Sequence, residues 1–139
     1  MQDKLPSVLL IDDNAATNFL HARVLKKSSL VGYVHACTSA QNGLKYITTS
    51  NQKDIYPRPD LIFLDINMPG MSGWEFLEAY RNLPDEQRGK IVIVMLTTSL
   101  NPDDRKKAEQ IEEINDFQEK PLTVERLKRI LDKYFGLAV

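Results

Sequence analysis

One cysteine, two histidines, no charge excess and no long apolar run mark out what this 139-residue chain is not. Cys37 has no partner for an internal disulfide, so a bridge-stapled scaffold is excluded, and at the end of an apolar run the thiol reads as packing in a reducing compartment. His21 and His35 stand without an i, i+4 companion, which removes the usual helix-borne zinc pair and leaves both as structural residues. No window approaches the ~20 apolar residues that a membrane-spanning helix needs, and the opening MQDKLPS is not a signal peptide. A soluble, cytoplasmic protein with no membrane partner is expected. With 18 basic and 19 acidic residues the net charge is -1, so the broad positive footprint of a nucleic-acid binder is missing too. Arg105, Lys106 and Lys107 form a basic cluster, but Asp103, Asp104 and Glu109 interleave with it and no aromatic platform accompanies it, so it reads as a solvated helix face.

What is present is a regular alternation. Apolar runs at Val8 to Ile11, Val31 to Ala36, Leu61 to Leu64, Ile91 to Leu96 and, weakly, around Phe117 are each followed by a helical segment. Continuous rather than alternating apolar residues mean strands covered on both faces, hence a parallel sheet with crossover helices. The last helix is the plainest: Val124, Leu127, Ile130, Leu131, Tyr134 and Phe135 fall on one stripe. Ser72 and Glu75 have capping-box spacing, and Asn101 precedes Pro102 as a cap precedes a first helical residue. The fourth helix, Pro102 to about Glu113, offers only Ala108 and Ile111 to a core and is expected to be the least anchored element. Asn51 to Pro59 and Leu83 to Gly89 read as polar, proline-bearing loops, and Trp74 as packing at the start of the third helix. One domain of this length buries roughly two-thirds of its unfolded surface.

Polar residues gather where the strands end. Strand one runs into Asp12 and Asp13, strand three into Asp65, strand four into Thr97 and Thr98, and strand five into Lys120 just before Pro121. In an open parallel sheet, ligands bind outside the carboxyl ends of the strands. Carboxylates at neighbouring strand ends repel by about 4 kcal/mol per close pair at an effective dielectric of 20, so the cluster requires compensation. A divalent cation supplies it, and an all-oxygen, partly hydrated site suits Mg²⁺, or Mn²⁺, better than zinc.

Taken together, VLLIDDN, LDINMPGMSG, VIVMLTTS and EKPLT resemble the receiver domain of bacterial response regulators, over about residues 5–135 of a single domain 1–139. The resemblance implies a three-layer, doubly wound, flavodoxin-like α/β fold with strand order 2-1-3-4-5. It implies that Asp65 accepts a phosphoryl group from a histidine kinase or a histidine phosphotransfer protein. Asp13, Asp65 and the backbone carbonyl of Asn67 would hold Mg²⁺, with Asp12 acting directly or through water, and Lys120 and Thr97 would contact phosphoryl oxygens. Phe117 would be the aromatic that turns inward as Thr97 moves. A cis Lys120–Pro121 bond is expected. The fourth helix, fifth strand and fifth helix would form the face read by an unknown downstream protein, or a homodimer contact. Against that family's pattern, Thr98 is bulkier than the small residue common beside the threonine, and the resemblance puts Asn67 and Ser99 at positions that tune dephosphorylation across the family. Only Gly136 to Val139 follow Phe135, so no output domain is expected and the signal would leave through protein contacts. A haloacid-dehalogenase-type phosphatase would want a second acid where Asn67 stands, and a phosphorylation-independent adaptor would have lost an acid or the lysine. A phosphoacceptor that does not turn over as an enzyme is therefore the expected function.

Overall fold

The computed structural model describes residues 4–50, 57–88, 91–98 and 101–137. Five strands, β1 (Leu5–Ile11), β2 (Val31–Cys37), β3 (Leu61–Leu64), β4 (Val92–Thr97) and β5 (Asp116–Glu119), form one parallel sheet in the order β2-β1-β3-β4-β5. The helices are α1 (Ala15–Ser28), α2 (Ala40–Thr48), α3 (Gly73–Arg81), a single turn α4 (Asp85–Arg88), α5 (Pro102–Glu109) and α6 (Val124–Phe135).

Adjacent strand residues divide the core in two. Val8, Leu10, Leu61, Phe63, Val94 and Leu96 pack with Leu25 of α1 and Leu127, Ile130 and Leu131 of α6. Leu9, Ile11, Ile62, Leu64, Ile93 and Met95 pack with Ile47 of α2, Phe76 and Leu77 of α3 and Ala108 of α5. Both faces of every central strand are thus buried, which is why the sequence shows runs rather than alternation. The chain leaves β1 towards one face and β3 towards the other, so the topological switch lies between these two neighbouring strands.

The turn α4 replaces part of the loop expected over Leu83 to Gly89. Its sequence, DEQR, contains no apolar residue; Pro84 starts the turn, its carbonyl accepting the Gln87 and Arg88 amides at 2.9 and 3.2 Å. The fourth long helix, here α5, ends at Glu109 rather than near Glu113, because Gln110 caps it and a turn then brings Ile111 and Ile114 against the core. Of the two residues expected to face the core, Ala108 is buried in the helix and Ile111 is half-buried beyond its end. Cations hold it instead: Arg105 lies 5.2 Å from the Phe117 ring centroid and Lys107 4.7 Å from that of Trp74. Both caps read from the sequence form, the Ser72–Glu75 box reciprocally and Asn101 on the Asp103 amide.

The chain also closes the outer edge of β5 with its own side chains. The Tyr134 hydroxyl donates to the Asn115 carbonyl at 2.7 Å, the Phe117 amide to Asp116 Oδ1 at 2.8 Å, and Arg126 Nη1 to the Glu119 carbonyl at 2.6 Å.

Candidate functional site

The final backbone rungs of the sheet fall on the residues singled out by their chemistry. The Asp12 amide donates to the Cys37 carbonyl at 3.1 Å, the Asp65 amide to Ile11 at 3.0 Å, and the Lys120 amide to Thr97 at 2.8 Å. Strand register, which pairs Ile11 with Leu64, sets Asp12 beside Asp65 across the switch point. Asp12 and Asp65 are buried, Asp13 is exposed, and one carboxylate oxygen from each lies within 4.8 Å of the others.

Lys120 reaches into this cluster from the far end of the sheet. Its ammonium pairs with Asp12 Oδ2 and lies 3.3 Å from Asp65 Oδ1. Asp12 Oδ1 accepts the Asn14 amide at 2.9 Å, so this carboxylate is held on both oxygens. Burial raises the Asp65 carboxyl to about 6, against the lowering effect of Lys120 and with a further rise from Asp12. Burial also works to lower Lys120, but its hydrogen bond to Asp12 and the charges of Asp65 and Asp12 outweigh this and the ammonium is raised. Thr97 is buried at the end of β4, Thr98 beside it is exposed, and Ser99 lies outside the described residues. Asn67 is exposed in the loop after β3, and Phe117 is buried beneath Arg105. The Lys120–Pro121 bond is cis, as expected.

The loop after Asp65 turns through Gly70, whose φ of 82° suits glycine. Gly73 then brings α3 against the strand end: its amide donates to Ile66 O at 2.8 Å, and a Cβ there would lie 2.3 Å from the Asp65 carbonyl oxygen. Gly73→Ala is therefore expected to shift the Asp65 main chain and lower stability by about 1–3 kcal/mol in urea melts, despite alanine's better helix propensity.

Helix α1 departs from ordinary amphipathic patterning. It buries Asn18, His21 and Leu25, while Phe19 and Leu20 are 63% and 57% exposed. Asn18 Nδ2 donates to the carbonyls of both Asp12 and Cys37 at 3.0 Å. Sequence reasoning missed Asn18; the only available signal was a polar side chain three residues before His21 on one helix face. His21 and Cys37 are buried, and His35 stacks on Tyr46 at 4.1 Å, in keeping with structural roles.

The donor set fits a hard divalent cation. Three carboxylates converge, one remains open to solvent, and neither His nor Cys belongs to the cluster. A doubly wound parallel sheet with an acidic pocket at its switch point, bridged by a lysine from the last strand, defines a receiver-type signalling domain. The chain belongs to the response regulator receiver domain family, whose family model matches residues 8–132.

Among curated proteins, Response regulator Rcp1 of Synechocystis is 38% identical over 100 residues, which cover 70% of this chain and 65% of that protein. Hybrid signal transduction histidine kinase B of Dictyostelium discoideum is 30% identical over 144 residues, covering 96% of this chain but 7% of the kinase. Among solved structures, a two-component response regulator from Cytophaga hutchinsonii superposes with a TM-score of 0.84 at 30% identity, covering 96% of this chain and 98% of its own. The Mn²⁺-bound form of response regulator Rcp1 gives 0.72 at 27% identity, with 96% and 95% covered. The flavodoxin-like order 2-1-3-4-5 agrees with these structures. Among the described residues, no helix is long and apolar enough to cross a membrane.

Proposed function

We propose that Asp65 is the phosphoacceptor of a two-component system or phosphorelay, receiving its phosphoryl group from a phosphohistidine on a kinase or phosphotransfer protein. The observation that carries this reading is the buried Asp65 carboxylate beside Asp12, with the ammonium of Lys120, just past β5, in contact with both. An Asp65 oxygen attacks phosphorus, the P–N bond to the donor histidine breaks, and the imidazole leaves with the bonding electrons. Phosphoryl transfer through a loose transition state asks the protein for alignment and charge neutralisation rather than covalent chemistry.

Asp12, Asp13, Asp65 and the Asn67 carbonyl are the proposed ligands of Mg²⁺, or of Mn²⁺ as in the Rcp1 relative. Bound there, the cation neutralises charge on the transferring group. Lys120 places its ammonium on a phosphoryl oxygen and the Thr97 hydroxyl donates to another. Drawing Thr97 towards the new charge frees space beside Phe117, whose ring carries Arg105 of α5, so the α5–β5–α6 surface changes with it. That surface is the proposed contact for a downstream protein or a second copy. The exposed Phe19 and Leu20 support a protein donor. Leu20 also lines, with Arg23, Val24, Lys27, Pro121 and Leu122, a groove of about 670 Å³ leading from α1 to the lysine loop.

Nothing favours the phosphatase, since Asn67 leaves no second acid, or the adaptor, since the acids and the lysine are all in place. Incubation with acetyl phosphate and Mg²⁺, followed by intact-mass measurement, is expected to show one added phosphoryl group. The gain should vanish in Asp65→Asn and in EDTA. Modification that survives both controls would place the acceptor elsewhere.

A further inference from the structure

We infer that His21 is a positioning residue for Lys120, acting with Asn18 to hold the lysine loop and the Asp12 strand end to one helix. The inference rests on the phosphoacceptor reading and adds to it a part for α1.

Polar side chains on the inner face of a helix cost stability unless they are hydrogen-bonded, so two of them, 4% and 3% exposed, call for a cause. They tie to different parts of the chain. Asn18 Nδ2 holds the carbonyls of Asp12 and Cys37, fixing the end of β1. His21 Nε2 accepts the amide of Leu122 at 3.3 Å, a contact that spans 101 positions of sequence.

Leu122 follows Lys120 by two residues, and Pro121 between them has no N–H. The Lys120–Leu122 segment therefore has two main-chain donors, and each is spoken for: Lys120 by the Thr97 carbonyl at 2.8 Å, Leu122 by His21. One tie fixes the segment to β4, the other to α1. The Lys120 side chain departs from the tied segment and crosses to Asp12 and Asp65.

Because Asn18 and His21 are three residues apart on one helical face, Asp12 and Lys120 are referred to the same rigid element. Asp12, Asp65, Asn18 and His21 also share a cavity of about 10 Å³ under the carboxylates, where Asn18 Oδ1 has no partner. Packing alone would have been served better by leucine at position 21. The imidazole supplies an acceptor at a fixed reach, and as an acceptor through Nε2 the neutral ring carries its proton on Nδ1.

His21→Leu leaves the Leu122 amide buried without an acceptor, whereas His21→Gln keeps an acceptor at similar reach. With acetyl phosphate at saturating Mg²⁺, His21→Leu is expected to phosphorylate about 10- to 100-fold more slowly, the scale of loss expected when a reacting group is misplaced by about 1 Å. Mg²⁺ affinity should not fall, since displacing the Lys120 ammonium can only relieve its competition for Asp12, and His21→Gln should recover most of the rate. In a Lys120→Met background His21→Leu should cost nothing further. An equal loss in that background, or a parental rate in His21→Leu, overturns the inference.

Two readouts are independent of phosphorylation. The ¹⁵N spectrum of the parent protein should show the Nδ1–H tautomer of His21. The Lys120 ammonium resonance should shift in His21→Leu and return in His21→Gln. An Nε2–H tautomer, or an unmoved lysine signal, overturns the positioning role even if Asp65 accepts phosphate. An Nδ1–H tautomer in the parent and the lysine shifts in the two variants, without any phosphorylation of the parent, keep the positioning role and refute the phosphoacceptor reading instead.

Discussion

Without divalent cation at about pH 7.5, Asp65→Asn should be more stable than the parent protein, and the difference should close as the pH falls to about 4.5. The sign follows from the raised carboxyl. In the folded chain Asp65 holds its proton to about 6, chiefly because burial disfavours the charge. In the unfolded chain it ionises near 3.9. The stability due to this group is present below about pH 4 and is lost as pH rises through about 6, where the folded state must accept a buried anion beside Asp12. Two units correspond to about 3 kcal/mol as an upper bound, and relaxation of the pocket reduces it. An advantage of about 1–3 kcal/mol in urea melts is the expected result. Asparagine has no proton to lose, so the variant should show no such slope. Adding Mg²⁺ should stabilise the parent and leave the variant nearly unmoved, because one of the proposed ligands is gone. A variant less stable than the parent by the same margin at every pH would refute the account of Asp65 as a strained anion.

Lys120→Met should move stability in the opposite direction. The lysine is the positive partner within reach of two buried carboxylates, and the side chains of the Asp12 pair are 13% and 5% exposed. Removing one member of a buried pair leaves uncompensated charge, which costs about 3–5 kcal/mol in comparable sites. Metal-free Lys120→Met is therefore expected to be about 3 kcal/mol less stable near neutral pH, with the loss shrinking as Asp65 takes up its proton. Mg²⁺ should rescue the variant more than it helps the parent, since the cation no longer competes with an ammonium for Asp12. Phosphorylation should still fall about 10²- to 10³-fold, the scale seen when one preorganised donor to a transition state is lost. Stopped-flow transfer from acetyl phosphate, set beside Mg²⁺ titrations, separates the two effects. A variant that binds Mg²⁺ more weakly would mean that Lys120 orders the acids rather than competing for them.

Much of this site is legible in the sequence. A run such as Leu61–Leu64 that ends on an acid has few uses other than a buried strand delivering that acid to the edge of a sheet, and here Asp65 is 7% exposed at that edge. The α6 stripe was equally plain, and Leu127, Ile130 and Leu131 are buried as its spacing requires. Hydrophobic periodicity, however, reports only apolar burial. It gives no hint of Asn18 and His21, which enter the interior through hydrogen bonds to carbonyls and amides from other parts of the chain. It also overextended α5, because Ile111 belongs to the following turn, and it had no grip on the polar turn α4.

Where Asp116, Arg126 and Tyr134 occupy the rim of the last strand, no foreign strand can continue the ladder by main-chain bonding without first displacing them. A partner on that flank would have to recognise shape and charge instead. The same closure would guard the proposed partner surface on that flank against recruiting an endless column of its own kind.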